Sequence, residues 1–227
     1  MAKIVGSDYS PTPSTRTFGN LKAEVAGAVM GEDHEEVRAV AGRGINAGIR
    51  WCNSRKWNQL VRRQDVTLVL DDADYSITAD YKDSFHLECL DSSSNGARAL
   101  EWQDPKSFFE RFPIRDASGT PTHATVPQQN QDGLLILSKP PDAAFIAKYP
   151  TLRHWFFHRL NTLTDDGESL AAPSEFEGVL SAHGEWFVAR RFAPEEARNA
   201  WVNLRDLREQ LIQDDHEFGF RNWSTVT

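Results

Sequence analysis

The spacing of apolar side chains divides the chain into a helical opening, an extended middle and a helical close. Residues 1–16, rich in Ser, Thr and Pro, carry no apolar period and read as a loose arm. Leu21, Val25, Ala28 and Val29 then recur at helical spacing and predict a helix ending near Gly31. Asp33 is placed to cap a second helix of about 24 residues, whose inner face is traced by Val37, Val40, Ala41, Ile45, Ile49 and Cys52. Gly44 and Gly48 lie on or beside that face. Each costs about 1 kcal/mol of helix propensity but admits a neighbouring helix closely. With Gly42 they sit inside a helical pattern rather than between a strand and a helix, so they do not form a dinucleotide-binding fingerprint.

From Val66 the period shortens to two. "DVTLVL" and "YSITA" around "DDAD" predict a hairpin, and "DSFHLECLD" with "ARALEWQD" around "SSSNG" predicts another. "PKSFFERFP" reads as a short helical crossing and "GTPTHATV" as extended chain. In "GLLILSKPPDAAFIAKYP" the run Leu134 to Leu137 is strand-like, while Pro140 and Pro141 lack the N–H that a ladder needs and force a turn. The alternation of Phe145, Ala147 and Tyr149 with Ile146 and Lys148 predicts a second strand after that turn. "TLRHWFFHRLNTL" reads as the last strand.

The helical period then returns. Phe176, Val179, Leu180, His183 and Phe187 share one face, with Ser174 as N-cap and Glu177 completing a capping box. A further helix has Pro194 near its first turn and a stripe of Ala197, Trp201, Leu204, Leu207 and Leu211. Residues 214–227 hold three aromatics, Phe218, Phe220 and Trp223, and no period. Helices at the two ends of the sequence have to bury their stripes on each other, because neither end has enough apolar surface for a core alone. The predicted class is therefore α+β: a discontinuous helical bundle from residues 17–63 and 172–213, an antiparallel β domain inserted at 64–171, and a tail at 214–227.

Composition narrows the functions available. With 227 residues, 40% hydrophobic and 26% charged, the chain reads as globular and soluble. The first residues lack a basic stretch followed by an apolar core, so a secretory signal is not expected. A net charge of -8 argues against wrapping nucleic acid and suits a surface past which DNA slides. Cys52 and Cys89 are too few for a disulfide framework or a four-cysteine zinc site and read as buried thiols. His154 and His158 would suit one metal ion if they stood on a helix, but the segment reads as a strand, where they lie about 13 Å apart. Asp71, Asp72 and Asp74 have part of a calcium-loop spacing, yet Ser76 or Ile77 stands where that loop needs glycine, so they read as turn residues. Arg50, Arg55, Lys56, Arg62 and Arg63 around Trp51 and Trp57 form the strongest basic feature, readable as a nucleic-acid surface, a solvated helix end or a subunit contact.

The succession "TFGNLKAEVAGAVMG", "INAGIRWCNSRKWNQL", a hairpin block, "SGTPTHATV", "LLILSKPPDAAFIAKY" and "PSEFEGVLSAHGEW" resembles the head-to-tail adaptor proteins of tailed bacteriophages, including the tail tubular A type. Gly119-Thr120-Pro121 and Pro140-Pro141-Asp142 stand where that family carries a Gly-x-Pro and a strand-Pro-x-Asp-strand unit. The segment "DYKDSFHLECL" departs from it by lacking the proline of the family's Leu-Pro-x-Asp-Phe. The resemblance, over about residues 17 to 212, implies a structural virion protein with no enzymatic activity, no cofactor and no metal. It implies a homo-oligomeric ring, a dodecamer, below the portal protein. The β part would meet a tail tube or nozzle protein, and genomic DNA would pass without sequence-specific binding. The setting implied is the virion neck, assembled in the host cytoplasm without a membrane. On this reading Phe218, Phe220 and Trp223 dock the portal, while Arg38, Arg43, Arg190, Arg198 and Arg205 meet Glu185, Glu195 and Asp206 of neighbouring subunits. Two other expectations stand beside it. One is a virion-associated hydrolase, acting on peptidoglycan or through metal at His154 and His158. The other is a different neck or tail ring, such as a stopper or terminator.

Overall fold

The structure, a computed structural model, describes residues 3–4, 14, 16–31, 34–93, 96–127, 133–222 and 225–226. In chain order the elements are β1 (Lys3–Ile4), α1 (Phe18–Met30), α2 (Glu35–Asn53), β2 (Val61–Thr67), β3 (Asp74–Ser76), β4 (Tyr81–Leu90), β5 (Ala97–Ala99), β6 (Glu101–Trp102), α3 (Pro105–Arg111), β7 (His123–Thr125), β8 (Leu134–Leu137), α4 (Ala143–Lys148), β9 (Thr151–His158), α5 (Glu177–Phe192), α6 (Ala197–Asn222) and β10 (Thr225–Val226). The chain is α+β, with helices from both ends of the sequence around an inserted β unit. One unit comprises Met1–Leu60 with Leu160–Thr227, and the other Val61–Arg159.

In the helical unit α1 starts where the Thr17 hydroxyl accepts the Asn20 N–H and stops at Gly31, whose φ of 69° is open to glycine without strain. Helix α2 is shorter than its apolar period predicts. It begins after His34, which gives no side-chain cap, and closes at Asn53, while Asp33 lies outside the described residues. Val37, Val40, Ala41, Ile45, Ile49 and Cys52 are all buried. Against them pack Leu21 and Val25 of α1 and Val179, Leu180 and Val188 of α5. The crossing of α2 and α5 is close because both carry glycine there: a Cβ on Gly44 would lie 2.8 Å from the Gly184 Cα. The predicted capping box does not form. Ser174 sits in a 3-10 turn, Ser174–Phe176, and α5 begins without a side-chain cap.

Two corrections concern where the units end. Residues 160–171, assigned from sequence to the β domain, belong to the helical unit. Asn46 and Asn53, seven apart on α2, each clamp the returning backbone: Asn53 donates to the Leu160 carbonyl (2.8 Å) and accepts its N–H (2.9 Å), and Asn46 does the same to Leu163 (2.9 and 3.1 Å). Each carboxamide thus replaces a strand partner for one residue. The tail also begins later than predicted, since α6 runs unbroken to Asn222. Thr225–Val226 then pairs antiparallel with Lys3–Ile4, so the opening residues contain a strand.

The β unit holds two four-stranded sheets, ordered β2-β9-β4-β5 and β3-β8-β7-β6. Among the described residues the strands pair antiparallel except β6 with β7, and an isolated parallel bridge joins Gly119 and Pro141. Leu152 and Phe156 of β9, with Leu87 and Cys89 of β4, pack on Leu135 and Leu137 of β8. The hairpin predicted around "DDAD" is absent, because β2 pairs with β9 while β3 pairs with β8 in the other sheet. The chain turns between them at Asp71, whose φ is 60°. The second strand predicted after the paired prolines is instead α4, capped by the Asp142 carboxylate, which accepts the Phe145 N–H at 2.7 Å.

Candidate docking surface

The basic and aromatic run at the end of α2 is extended in space by residues more than 130 positions later. Trp57 is core: its indole N–H donates to the Cys52 carbonyl at 2.7 Å and its ring meets Phe176 edge-on at 5.3 Å. Trp51 is half-buried and carries a guanidinium on its ring from Arg55 (5.4 Å) and from Arg208 of α6 (4.7 Å). Arg208 also reaches Trp201 (5.9 Å), Trp201 meets Trp186 of α5 at a tilt of 47° (5.1 Å), and Arg190 covers Trp186 (5.0 Å). Arg55, Trp51, Arg208, Trp201, Trp186 and Arg190 therefore form one row across three helices. Trp201, assigned from sequence to the buried stripe, is 41% exposed, with Val202 beside it at 38%. It stands about 60° round α6 from the buried Leu204, enough to bring its ring out of the core.

This row is anchored from beneath. Arg208 donates to His183 Nε2 through Nη2 (2.7 Å) and Nε (3.2 Å). Burial, reinforced by the Arg208 charge, pushes His183 down to about 3, so its imidazole is neutral and Nε2 is the acceptor. A second anchor holds the far end of α6. The buried Asp215 accepts the Gln59 N–H (3.0 Å) and an Asn58 amide hydrogen (3.1 Å), capping the 3-10 turn Asn58–Leu60 from which the chain leaves the helical unit. Burial raises this carboxyl above the ordinary range, and the two donors oppose that shift. Asp215→Ala strands the Gln59 N–H and leaves Asn58 only the residue-215 carbonyl at 3.4 Å, and is expected to cost about 1–3 kcal/mol of helical-unit stability, read by urea unfolding; a loss under ~0.5 kcal/mol would show that the cap is dispensable.

The remaining residues singled out in the sequence scatter. Phe218 is half-buried on α6, the Phe220 side chain and all of Trp223 lie outside the described residues, and residues 214–222 are helix rather than a loose tail. Removing residues 214–227 would therefore remove Asp215, whereas a truncation from Trp223 keeps this cap and loses only β10 with its pairing to β1. Arg38 lines a cavity of about 610 Å³ with Lys22, Glu35, Ala39 and Asp166. Arg43 and Arg190 share another, of about 470 Å³, with Val40, Phe187 and Arg191. Arg205 pairs with its neighbour Asp206 at 2.9 Å, and Arg198 and Glu195 are exposed. Glu185 is half-buried, and its carboxyl is raised by burial and by Glu24. Arg50 and Lys56 are exposed in the helical unit, whereas Arg62 and Arg63 belong to β2 in the other unit, near Asp80 (3.8 Å) and Asp65 (3.7 Å).

In the β unit the side chains of His154 and His158 make separate hydrogen bonds. His154 Nε2 meets the Ser84 hydroxyl (2.9 Å), which meets the Tyr81 hydroxyl (3.1 Å), and His158 Nδ1 donates to the Arg159 carbonyl (3.0 Å). Burial pushes both imidazoles down to about 4, aided at His158 by Arg62, and pushes Tyr81 up to about 12. Among the described residues no cluster of three or more His, Cys, Asp or Glu is arranged to hold a metal ion. Cys52 and Cys89 are buried and form no disulfide, and burial raises the Cys89 thiol to about 12. Asp72 accepts the Asp74 N–H (3.0 Å), Asp71 bonds Ser118, and Asp74 pairs with Arg115 (3.3 Å). These carboxylates tie two loops together and leave Val69, Leu70 and Ile114 exposed on them, at 52, 52 and 79%.

No protein-family model matches the chain, and no curated protein matches it. Sequence reasoning missed Trp186, Trp201, Arg208 and Asp215. The available signal was the spacing of Trp201 and Arg208, two helical turns apart on α6, each polar or aromatic beside a run of leucines.

Proposed function

We propose that the chain is a structural adaptor of a phage neck, assembling as a ring below the portal and joining it to the tail. The observation that carries this reading is the Trp–Arg row of the helical unit, because Trp and Arg are the residues in which binding energy concentrates at protein interfaces. Its exposed tryptophan, Trp201, is held by a tilted ring contact with Trp186 and by Arg208, so little side-chain freedom remains to be lost on docking. The order of segments, with two sets of helices flanking a β insertion, supports the same reading through the resemblance described above. The β unit has a different kind of surface, the apolar tip of Val69, Leu70 and Ile114, suited to a second partner such as a tail tube or nozzle protein. An acidic total charge of -8 keeps passing DNA from adhering.

The test is reconstitution of the purified chain with portal rings from the same virus. Trp201→Ala is expected to weaken portal binding by about 2 kcal/mol, roughly 30-fold, with an unchanged circular dichroism spectrum. Leu70→Ser with Ile114→Ser is expected to spare portal binding and weaken the tail partner instead. Undiminished portal binding by Trp201→Ala would remove the Trp–Arg row from the mechanism, and failure of the intact chain to bind any portal or tail component would end the adaptor reading.

A further inference from the structure

The groove between α2 and α5 shares Arg190 with the Trp–Arg row, but it is a feature of its own that does not rest on the adaptor reading. Its floor is Val40, which is 3% exposed, and the half-buried Phe187. Its rim is Arg43 from α2 and Arg190 and Arg191 from the last turn of α5. The rim residues follow from helix geometry: Val40 and Arg43 lie three apart on α2, and Phe187, Arg190 and Arg191 lie at i, i+3 and i+4 on α5. The helices approach closely enough for the two rims to face each other because Gly44 has no side chain, and a Cβ there would lie 2.9 Å from the Phe187 Cβ.

The charge at this groove is unbalanced. Arg191 donates to Glu36 at 3.3 Å, an ion pair whose side chains are 61 and 69% exposed. Among the described residues neither Arg43 nor Arg190 has a carboxylate within 4.0 Å. The ring of Trp186 against Arg190 accepts none of its N–H bonds in the plane of the guanidinium. Three guanidiniums less one carboxylate leave two positive charges. The negative end of the α5 macrodipole, worth about half a charge, offsets only part of them. A helix end alone explains Arg190 and Arg191, but it does not explain Arg43, which comes from the middle of α2 on the opposite wall. In a chain with a net charge of -8, an unneutralised cationic groove with an apolar floor has the composition of an anion site.

We infer that this groove binds a multivalent oxyanion of about the size of pyrophosphate or a tricarboxylate, gripped by Arg43 and Arg190 across the groove with Arg191 as third donor. The volume of about 470 Å³ accommodates such an ion with several waters, and is too open to discriminate among oxyanions by shape. Recognition therefore rests on charge and on planar N–H pairs.

Isothermal titration of the full chain at low salt with sodium pyrophosphate, and separately with citrate, tests this. Both are expected to bind with one site per chain. Arg43→Ala combined with Arg190→Ala is expected to weaken binding at least about tenfold, and Arg43→Lys, which keeps the charge but not the fork, about threefold. Glu36→Gln is expected to tighten binding about threefold, because it releases Arg191 and removes the competing carboxylate. Arg198→Ala, exposed on α6, serves as the control and leaves the affinity unchanged. Binding of pyrophosphate but not citrate would restrict the site to phosphates, and the reverse would restrict it to carboxylates, each within the proposal. Absence of binding by both, or equal affinity in the intact chain and the double-alanine variant, would overturn it.

Discussion

Lowering the pH from 6.5 towards 4 is expected to destabilise the β unit about twice as steeply as the helical unit. His154 and His158 are buried in the β unit and pushed down to about 4, and His183 in the helical unit to about 3, against an ordinary value of 6.5. Burial is the first cause at each. Above pH 6.5 these imidazoles are neutral whether the chain is folded or not, so they contribute no pH dependence. Below it the unfolded chain takes up protons that the folded chain refuses, and stability falls with pH until the folded groups protonate. Each histidine contributes about 1.4 kcal/mol per pH unit in that window, so the β unit loses about 5 kcal/mol over two units, a large share of a typical domain's total. The helical unit loses half as much from His183. Asp215 and Glu185 work in the opposite direction there, because their raised carboxyls bind protons more readily in the folded state as pH falls. Urea unfolding at pH 7.5 and at pH 5, repeated on His154→Gln and His183→Gln, measures the effect. Each variant should show a shallower dependence than the parent, and a parent midpoint that does not fall between the two pH values would refute the mechanism.

Gly44→Ala is expected to cost about 2–3 kcal/mol although alanine is the better helix former. Propensity alone favours the substitution by about 1 kcal/mol. The added Cβ would stand 2.7 Å from the His183 carbonyl oxygen and 2.8 Å from the Gly184 Cα, both backbone atoms of α5, so α2 and α5 have to separate along their whole contact. Gly27→Ala in α1 provides the comparison. Nothing lies within 4 Å of its Cβ position, and that substitution is expected to stabilise by up to about 1 kcal/mol. Equal effects of the two substitutions on the thermal midpoint would mean that the crossing has slack, and that Gly44 is not what sets its distance.

The helices were legible because burial on one face imposes a period that the sequence has to carry. Every apolar residue assigned to the inner face of α2 is buried, from Val37 to Cys52. The inserted β unit was legible for a related reason: helical stripes at both ends require one another, whatever lies between. Short segments were not legible. Residues 145–149 alternate well enough for a strand, but over six residues the two periods share Phe145 and Tyr149 and differ only in whether Ala147 or Ile146 turns inward; the Asp142 cap decided for helix, which packs Ile146 and leaves Ala147 exposed. Strand partners were beyond reach for a different reason. Arg63 faces Trp155 across β2 and β9, and a register between residues so far apart leaves no local turn to read.

The candidate surface divides in the same way. The sequence by itself marked Trp51, Arg55 and their neighbours as a basic and aromatic cluster, because they are adjacent in the chain. It determined the α+β class and the inner face of α2. Only the tertiary structure brought Trp186, Trp201 and Arg208 to that cluster, placed Arg62 and Arg63 in the other unit, and set Arg43 opposite Arg190. Periodicity reports which face of an element is buried, since that depends on neighbours one or two turns away. Which exposed faces meet depends on crossing distances between helices far apart in sequence, and at α2 and α5 that distance is set by the contact of Gly44 with Gly184.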